Sequence, residues 1–184
     1  MTIIDKVVAA VTPPESDAAR AEARQKARSL ATPGSWLSMV LEHHLQIDAL
    51  FAAVKQASSA ESRRLAQKQL AEMLTGHSLA EEAAIYPGMA LNGEKGSSEM
   101  AYVEQSAAKV QMAALEMLDP MSQDYLDKLE HLQGAVLHHV YEEEGSRFPD
   151  LLEKADTATH AHITARYAQE FERYMGTGRV GTGA

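Results

Sequence analysis

Two segments of this sequence repeat each other in residues whose side chains can bind metal ions. Each holds a His, two consecutive Glu, an aromatic residue and a Pro at the same spacing: His77, Glu81, Glu82, Tyr86 and Pro87 in one, and His139, Glu143, Glu144, Phe148 and Pro149 in the other. A His and a Glu four residues apart lie one turn apart on the same helix face. Imidazole nitrogen and carboxylate oxygen suit iron, manganese and zinc. The repeat therefore predicts metal ligands on two helices.

A third predicted helix places His44 on its apolar face. Burying imidazoles and carboxylates without partners is unfavourable, and a shared metal ion would compensate for it. The predicted ligands from this pattern are His44, His77, Glu81, His139 and Glu143. Both carboxylates are able to bridge two ions. The alternative is a metal-free core in which these polar groups pair with each other.

The remaining polar residues near this pattern are assigned to other roles. Three His lie off the apolar faces and are expected to be solvated or to contact another helix: His43, His131 and His138. His160 and His162 point to different sides of the last helix, so a joint site is not expected. Four acidic residues next to the proposed ligands are expected to support them or to face solvent: Asp48, Glu82, Glu142 and Glu144.

Helical periodicity positions these residues. Apolar residues recur at the spacing of one helix face in four segments, which predicts helices at about 36–57, 60–86, 97–118 and 122–147. Pro and Gly residues separate the segments, and the Pro after Tyr86 and after Phe148 predicts that two of the helices end there. Alternating strand patterns are absent from the sequence. The predicted fold is all-α, an antiparallel four-helix bundle with extra N- and C-terminal helices.

The sequence outside the bundle predicts helices at both ends. Short or weakly amphipathic helices are expected at 3–11 and 15–30, and a last helix at about 156–175. The domain organisation follows from these segments: an N-terminal helical extension at 1–34, the bundle at 35–150, a C-terminal helix at 151–175, and a flexible tail at 176–184. The helix at 15–30 is expected to pack outside the bundle or against a second subunit, so a homo-oligomer is an open alternative.

Composition excludes several classes of function. The chain has 184 residues and a formal net charge of −9 without any basic run, which argues against nucleic acid as a partner. It has no Cys, so thiolate metal sites and disulfides are excluded. No apolar run reaches the length of a membrane span or of a signal peptide. We therefore expect a cytoplasmic protein that does not contact a membrane.

The sequence resembles the hemerythrin-like family, the His-His-Glu cation-binding domains. The resemblance covers about 35–150 and rests on His44 with Ile47 and Leu50-Phe51, and on the two repeated segments. It implies a four-helix bundle with a non-haem di-iron site, bridged by carboxylates. Family members bind dioxygen, sense oxygen or redox state, or handle iron and reactive oxygen species.

The sequence departs from the family pattern on the third bundle helix, at about 97–118. Family members usually offer a His there, whereas the aligned position is Gln105 and this helix contains no His. Gln105 can ligate weakly through its amide oxygen, and Tyr102 or Glu104 are alternative substitutes. We therefore expect unequal occupancy, with one ion held tightly and a second held weakly or replaced by water.

Three functions are compatible with this sequence. The first is a hemerythrin-like protein that uses two iron ions, with manganese or zinc as alternatives, to sense or handle a small ligand such as dioxygen or peroxide. The second is a di-iron or di-manganese enzyme that acts on peroxide. The third is a metal-free helical interaction protein. Ferritin-like oxidases fit less well, because their motif is Glu-x-x-His, whereas here His precedes Glu by four residues.

Overall fold

The computed structural model describes residues 15–177, and within this range the chain forms helices joined by short turns, without any strand. The all-α prediction is therefore confirmed for this part of the chain. The predicted helix at 3–11 and residues 178–184 of the predicted tail lie outside it. The α-helices are α1 (Asp17–Leu30), α2 (Trp36–Gln56), α3 (Ala60–Ala80), α4 (Tyr86–Leu91), α5 (Lys95–Glu116), α6 (Gln123–Glu142), α7 (Phe148–Lys154) and α8 (Thr157–Thr177).

Serine residues fix where three of the long helices begin. The hydroxyl oxygen of Ser35 accepts a hydrogen bond of 3.3 Å from the backbone N–H of Ser38 at the start of α2. Ser59 and Ser122 cap α3 and α6 in the same way. Each cap satisfies one of the N–H groups that have no partner within the first turn of a helix.

The apolar core consists of two clusters with a polar layer between them. On α2, Leu37 and Val40 belong to one cluster and Ile47 and Phe51 to the other, while His44 lies between them. Helices α3 and α5 repeat this arrangement at the levels of His77 and Gln105, whereas the buried apolar residues around His139 on α6 all belong to the second cluster. Because the positions on each side pack against neighbouring helices, the apolar residues hold the polar layer inside the protein.

Two predicted helix ends are wrong, because the chain stays helical through both aromatic-Pro pairs. A five-residue π-helical segment, π1 (Glu81–Ile85), joins α3 to α4, and a second, π2 (Glu143–Arg147), joins α6 to α7. In a π turn the hydrogen bond spans five residues, so the backbone N–H of Tyr86 binds the carbonyl oxygen of Glu81. Pro87 and Pro149 then stand in the first turn of a new α segment, where a missing N–H is tolerated.

The terminal helices pack onto the bundle helices. Helix α8 contacts α3 and π1, and it reaches two residues beyond its predicted end. A side chain at Gly88 would place its Cβ only 2.7 Å from the Cδ1 atom of Ile163, so glycine permits the close approach of α4 and α8. Helix α1 lies against π2 and buries Ala23 and Ala27. None of the helices in the described range is long and apolar enough to span a membrane.

Candidate metal centre

Four of the six predicted ligands converge in the polar layer. His44 of α2, His77 of α3, Glu81 of π1 and Glu143 of π2 each offer a donor atom within 4.8 Å of the others. All four side chains are buried. Such a convergence of nitrogen and oxygen donors on one point is the arrangement that a transition-metal ion requires.

His139 of α6, the fifth predicted ligand, lies on the far side of Glu143. The Oε2 atom of Glu143 is 3.5 Å from Nε2 of His44, while its Oε1 atom is 3.2 Å from Nε2 of His139. The carboxylate of Glu143 therefore lies between two imidazoles, with one oxygen directed to each. On the other repeat, Oε2 of Glu81 is 3.2 Å from Nε2 of His77. This arrangement suits a pair of ions with carboxylates between them.

The π-helical segments begin at the two glutamates that face this centre. π1 starts at Glu81 and π2 starts at Glu143, so each wide turn occurs one helical turn after a His of the repeat. π turns are energetically poorer than α turns and occur frequently at functional sites. Here they change the helix phase between each Glu and the aromatic residue that follows it.

Unsatisfied buried atoms indicate that the side chains fit a metal ion. Among the described residues, Nε2 of His44, Oε1 of Glu81, Oε2 of Glu143 and Oε1 of Gln105 are buried and have no hydrogen-bond partner. Leaving a buried polar atom unpaired costs roughly 1–3 kcal/mol. A coordinated cation would satisfy several of these atoms at once. Their chemistry, imidazole nitrogen with carboxylate and amide oxygen, suits iron, manganese or zinc.

The outer nitrogen of His44 is fixed by a chain of charged residues. Its Nδ1 lies 2.9 Å from Oε1 of Glu144, a buried carboxylate. Arg24 of α1 donates from Nε to both oxygens of Glu144 at 3.1 Å, and from Nη1 to Asp48 at 2.6 Å. A carboxylate on Nδ1 holds the imidazole so that Nε2 faces the metal position. Helix α1, which the sequence placed outside the bundle, thus supports the centre.

The outer nitrogen of His139 has an equivalent partner on α5. Nδ1 of His139 lies 2.7 Å from Oε2 of Glu104, and Arg147 donates two hydrogen bonds to the same carboxylate, at 2.7 and 3.0 Å. Burial disfavours the carboxylate, but His139 and Arg147 outweigh burial and lower the pKa of Glu104 to about 2. Glu104 therefore remains charged and orients His139.

The outer nitrogen of His77 is bound by a tyrosine of the last helix. The hydroxyl group of Tyr167 lies 3.1 Å from Nδ1 of His77 and 2.7 Å from Nδ1 of His43. His43 also stacks on Phe171, with ring centroids 3.9 Å apart. Burial, together with the neighbouring His44, lowers the pKa of His43 to about 4, so His43 is a neutral interhelical partner. This is one of the two roles that the sequence left open for it.

The metal-free centre holds protons that an ion would displace. Burial opposes the charged form of His44 and His139, but the carboxylates beside them raise the pKa of His44 to about 9 and of His139 to about 10. Burial and the charge of Glu143 raise the pKa of Glu81 to about 8. Burial would raise the pKa of Glu143, but His139 and His44 lower it below its ordinary value. At neutral pH His44 and His139 are therefore positively charged, Glu143 is negatively charged and Glu81 holds a proton. These protons and charges occupy the place of a cation.

Gln105, the sixth predicted ligand, lies in the polar layer with a hydrogen-bond partner on its amide nitrogen but none on its amide oxygen. Its Nε2 donates to Oε2 of Glu81 at 2.5 Å, and its Oε1 is one of the unpartnered buried atoms. The two alternatives on α5 point elsewhere: Tyr102 donates to the backbone oxygen of Glu82 at 2.9 Å, and Glu104 contacts the outer nitrogen of His139. Among these three residues, only Gln105 offers an atom to the interior of the centre.

Tyr86 is a residue of the centre that the sequence reasoning missed. Its hydroxyl oxygen lies 3.0 Å from Oε1 of Glu143, 3.2 Å from Oε2 of Glu81 and 3.2 Å from Nε2 of His139. The repeat contained a signal for this residue, because the matching position in the second segment is Phe148. At this aromatic position the first segment therefore carries a hydroxyl group that the second lacks.

A cavity of about 220 Å³ reaches the centre between α3, α5 and α6. His77, Gln105 and His139 line its inner end, and the exposed side chains of Lys109 and Glu116 lie at its outer end. Its walls are mostly apolar, with contributions from Ile47, Leu74, Ala108, Met112, Val136 and Val140. The cavity is large enough for several molecules the size of water. It gives a small ligand a route to the Gln105 side of the centre.

Comparison with known proteins identifies related sequences. The model of the hemerythrin HHE cation binding domain matches residues 37–151. A DNA nickase from Nostoc sp. strain PCC 7120 is 25% identical over 129 residues, which are 70% of this chain and 36% of that protein. The chain thus spans about a third of the length of this curated relative. No solved structure matches the chain.

Proposed function

We propose that this chain, which belongs to the hemerythrin HHE cation-binding domain family, holds a non-haem di-iron centre that senses or handles a small oxidant such as dioxygen or peroxide. The observation that carries the proposal is the group of buried donor atoms from His44, His77, Glu81 and Glu143, several of them without a hydrogen-bond partner. A metal-free interaction protein would leave these atoms unsatisfied in its interior. We also propose that the four bundle helices, α2, α3, α5 and α6, run antiparallel to their neighbours.

The residues divide between two ions in this proposal. His44 and His77 would hold the first ion together with the carboxylates of Glu81 and Glu143. His139 would hold the second, with the same two carboxylates and with Gln105 as a weaker donor. Bound iron supplies one-electron redox chemistry and positions at which a small oxidant can bind. The side chains supply the binding geometry, because Glu144, Tyr167 and Glu104 fix the outer nitrogens of the three imidazoles.

A peroxide-reducing enzyme is the second candidate, and one observation favours it. Gln105, at the position where the family usually offers a His, lines the inner end of the cavity, so the second ion would face both a poor ligand and an access route. An ion with fewer protein ligands keeps positions open for a substrate. Reversible oxygen carriage is correspondingly the least favoured use of this centre.

We do not assign DNA nicking, the activity in the name of the Nostoc relative, to this chain. The similarity covers 36% of that protein, so its activity can depend on regions that this chain does not share. The formal net charge of −9 also opposes the approach of a polyanion. Manganese or zinc instead of iron, a cytoplasmic location and a homo-oligomeric state all stay predictions.

The proposal is tested by metal analysis and optical spectroscopy of protein purified without air, before and after exposure to oxygen. We expect two iron ions per chain at saturation and a spectral change on oxidation. Glu143→Gln should lose bound metal, because the central carboxylate is replaced by a neutral amide. Glu142→Gln is the matched control, since it makes the same chemical change at the adjacent position outside the donor group. Unmodified protein that binds no iron, or a Glu143→Gln variant that binds it fully, would reject the proposal.

A further inference from the structure

Three donor atoms at the second ion's position form a nearly equilateral triangle. The hydroxyl oxygen of Tyr86 lies 3.0 Å from Oε1 of Glu143 and 3.2 Å from Nε2 of His139, and those two atoms are themselves 3.2 Å apart. All three side chains are buried, and they come from α4, π2 and α6. Oε2 of Glu81 lies 3.2 Å from the same hydroxyl oxygen.

These separations are ordinary hydrogen-bond lengths that also suit neighbouring ligands around one ion. Bonds of about 2.1 Å to nitrogen and oxygen place two ligand atoms about 3.0 Å apart at right angles and about 3.4 Å apart at the tetrahedral angle. The three edges of the triangle fall between these values. The atoms are therefore already spaced as one face of a coordination polyhedron.

The hydroxyl group of Tyr86 has more polar neighbours than it can donate to. A tyrosine hydroxyl group has one proton to donate. Two carboxylate oxygens and one imidazole nitrogen surround the oxygen of Tyr86, on Glu81, Glu143 and His139. The single proton of Tyr86 can bind one of these atoms at full strength, whereas a cation beside the oxygen would interact with every one of them.

The two segments of the internal repeat differ in the aromatic side chain. The residue matched to Tyr86 is Phe148, whose ring stacks on His44 at a centroid distance of 6.4 Å and an interplanar angle of 14°. On that side α2 supplies an imidazole. On the other side α5 supplies Gln105, and the aromatic ring of the repeat carries an oxygen atom. The hydroxyl of Tyr86 thus occurs in the half of the centre in which α5 offers no imidazole.

The Tyr86 side chain is held in place by its surroundings. It is fully buried, and its ring meets that of Tyr102 edge to face with centroids 5.0 Å apart. Ser98 donates a hydrogen bond of 3.0 Å to the backbone oxygen of Tyr86. The hydroxyl group therefore cannot turn away from the centre without repacking the core.

We infer that Tyr86 is a ligand of the second metal ion, on the side of the centre where α5 carries Gln105 and no imidazole. This inference rests on the metal centre proposed above. On binding, the O–H bond of Tyr86 breaks, its oxygen bonds to the ion as phenolate, and the proton leaves to solvent without any change of oxidation state. Gln105 then orients Glu81 through its amide N–H group.

A tyrosinate bound to iron(III) gives a charge-transfer band in the visible spectrum, and this band tests the inference directly. We expect the band in air-oxidised, iron-loaded protein. Tyr86→Phe should abolish it and should lose the second equivalent of iron, while the equivalent bound by His44 and His77 remains. Tyr102→Phe is the matched control, because the hydroxyl of Tyr102 bonds to the backbone of Glu82 outside the centre. The control should keep both the band and the iron content.

The outcomes separate this inference from the proposed function. Iron-loaded protein that lacks the band would overturn the assignment of Tyr86 and leave the di-iron proposal intact. A band that survives in Tyr86→Phe would also overturn it. Protein that binds no iron would reject the proposed function, and the inference with it. If Tyr86→Phe fails to fold, resonance Raman spectra of unmodified protein with ring-deuterated tyrosine decide the question, since only a bound phenolate gives enhanced ring modes that shift.

Discussion

Nε2 of His44 and Oε2 of Glu143 lie 3.5 Å apart in the interior, and neither atom has a hydrogen-bond partner within the described part of the chain. The second polar atom of each side chain has a partner, since Nδ1 of His44 lies 2.9 Å from Oε1 of Glu144 and Oε1 of Glu143 receives a hydrogen bond from Tyr86. The two unpartnered atoms thus face each other across a space suited to a cation.

Replacing His77 by Ala should lower metal content and metal-dependent stability together. An ion that binds only the folded state stabilises it, by about 4 kcal/mol at a thousandfold excess over the dissociation constant. Loss of one imidazole should remove most of this gain. The measurement is metal content with thermal unfolding of metal-loaded and metal-free protein. His131→Ala, at an exposed position, is the control. Full metal stoichiometry with an unchanged melting temperature in His77→Ala would show that His77 is not a ligand.

Replacing Glu104 by Gln should weaken metal binding although Glu104 is not proposed as a ligand. The amide loses the charge that holds Nδ1 of His139 and pairs with Arg147. Changes of this kind typically cost about 10–100-fold in metal affinity. Competition with a chelator measures the effect. Glu99→Gln, on the solvent-exposed face of the same helix, is the control. Equal affinities for the two variants would contradict the role assigned to Glu104.

Metal affinity should rise with pH. His44, His139 and Glu81 have pKa values of about 9, 10 and 8 in the metal-free protein, so each holds a proton at neutral pH. Because ligands bind in the deprotonated form, the ion must displace these protons. Each displaced proton raises the apparent affinity about tenfold per pH unit until the pKa is passed. Calorimetric titrations in buffers of different ionisation enthalpy count the protons. Affinity that does not change between about pH 6 and pH 8 would contradict the assignment.

Replacing Gln105 by His should strengthen the weaker of the two metal positions. Gln105 points into the centre but offers an amide oxygen, which is a poorer donor to a transition metal than imidazole nitrogen. Titration with a divalent ion such as Mn²⁺ should resolve a tight and a weak site in the unmodified protein. In the variant the two affinities should approach each other. Two equally tight sites before the substitution would reject unequal occupancy.

Filling the cavity should slow the reaction of the reduced centre with its oxidant. Ala108 lines the cavity between its outer end and Gln105, so Ala108→Phe narrows the route without replacing a proposed ligand. We expect oxidation by peroxide, followed by stopped-flow absorbance, to slow by on the order of tenfold, equivalent to about 1.4 kcal/mol in the barrier. Ala114→Phe, exposed on the same helix, is the control. An unchanged rate with unchanged iron content would show that the oxidant enters elsewhere.

The sequence by itself determined the helices and the residues of the inner layer. Apolar periodicity assigned each helix a buried face, and on α2 the predicted inner residue His44 is buried together with Leu37, Val40, Ile47 and Phe51 at the same helical spacing. The repeat of His and Glu at a spacing of four then placed polar donors on buried faces. This information is local, because a helix of known period fixes which side chains share a face.

Only the tertiary structure decided which atoms meet. The π segments at Glu81 and Glu143 shift the helix phase, so that Tyr86 enters the centre; aromatic-Pro pairs had suggested that the helices end there. The partners of the outer nitrogens, Glu144, Glu104 and Tyr167, lie 100, 35 and 90 residues from their imidazoles. Periodicity specifies the inward face of each helix. It does not specify the height or rotation of one helix against another, and these are set by packing of the whole core.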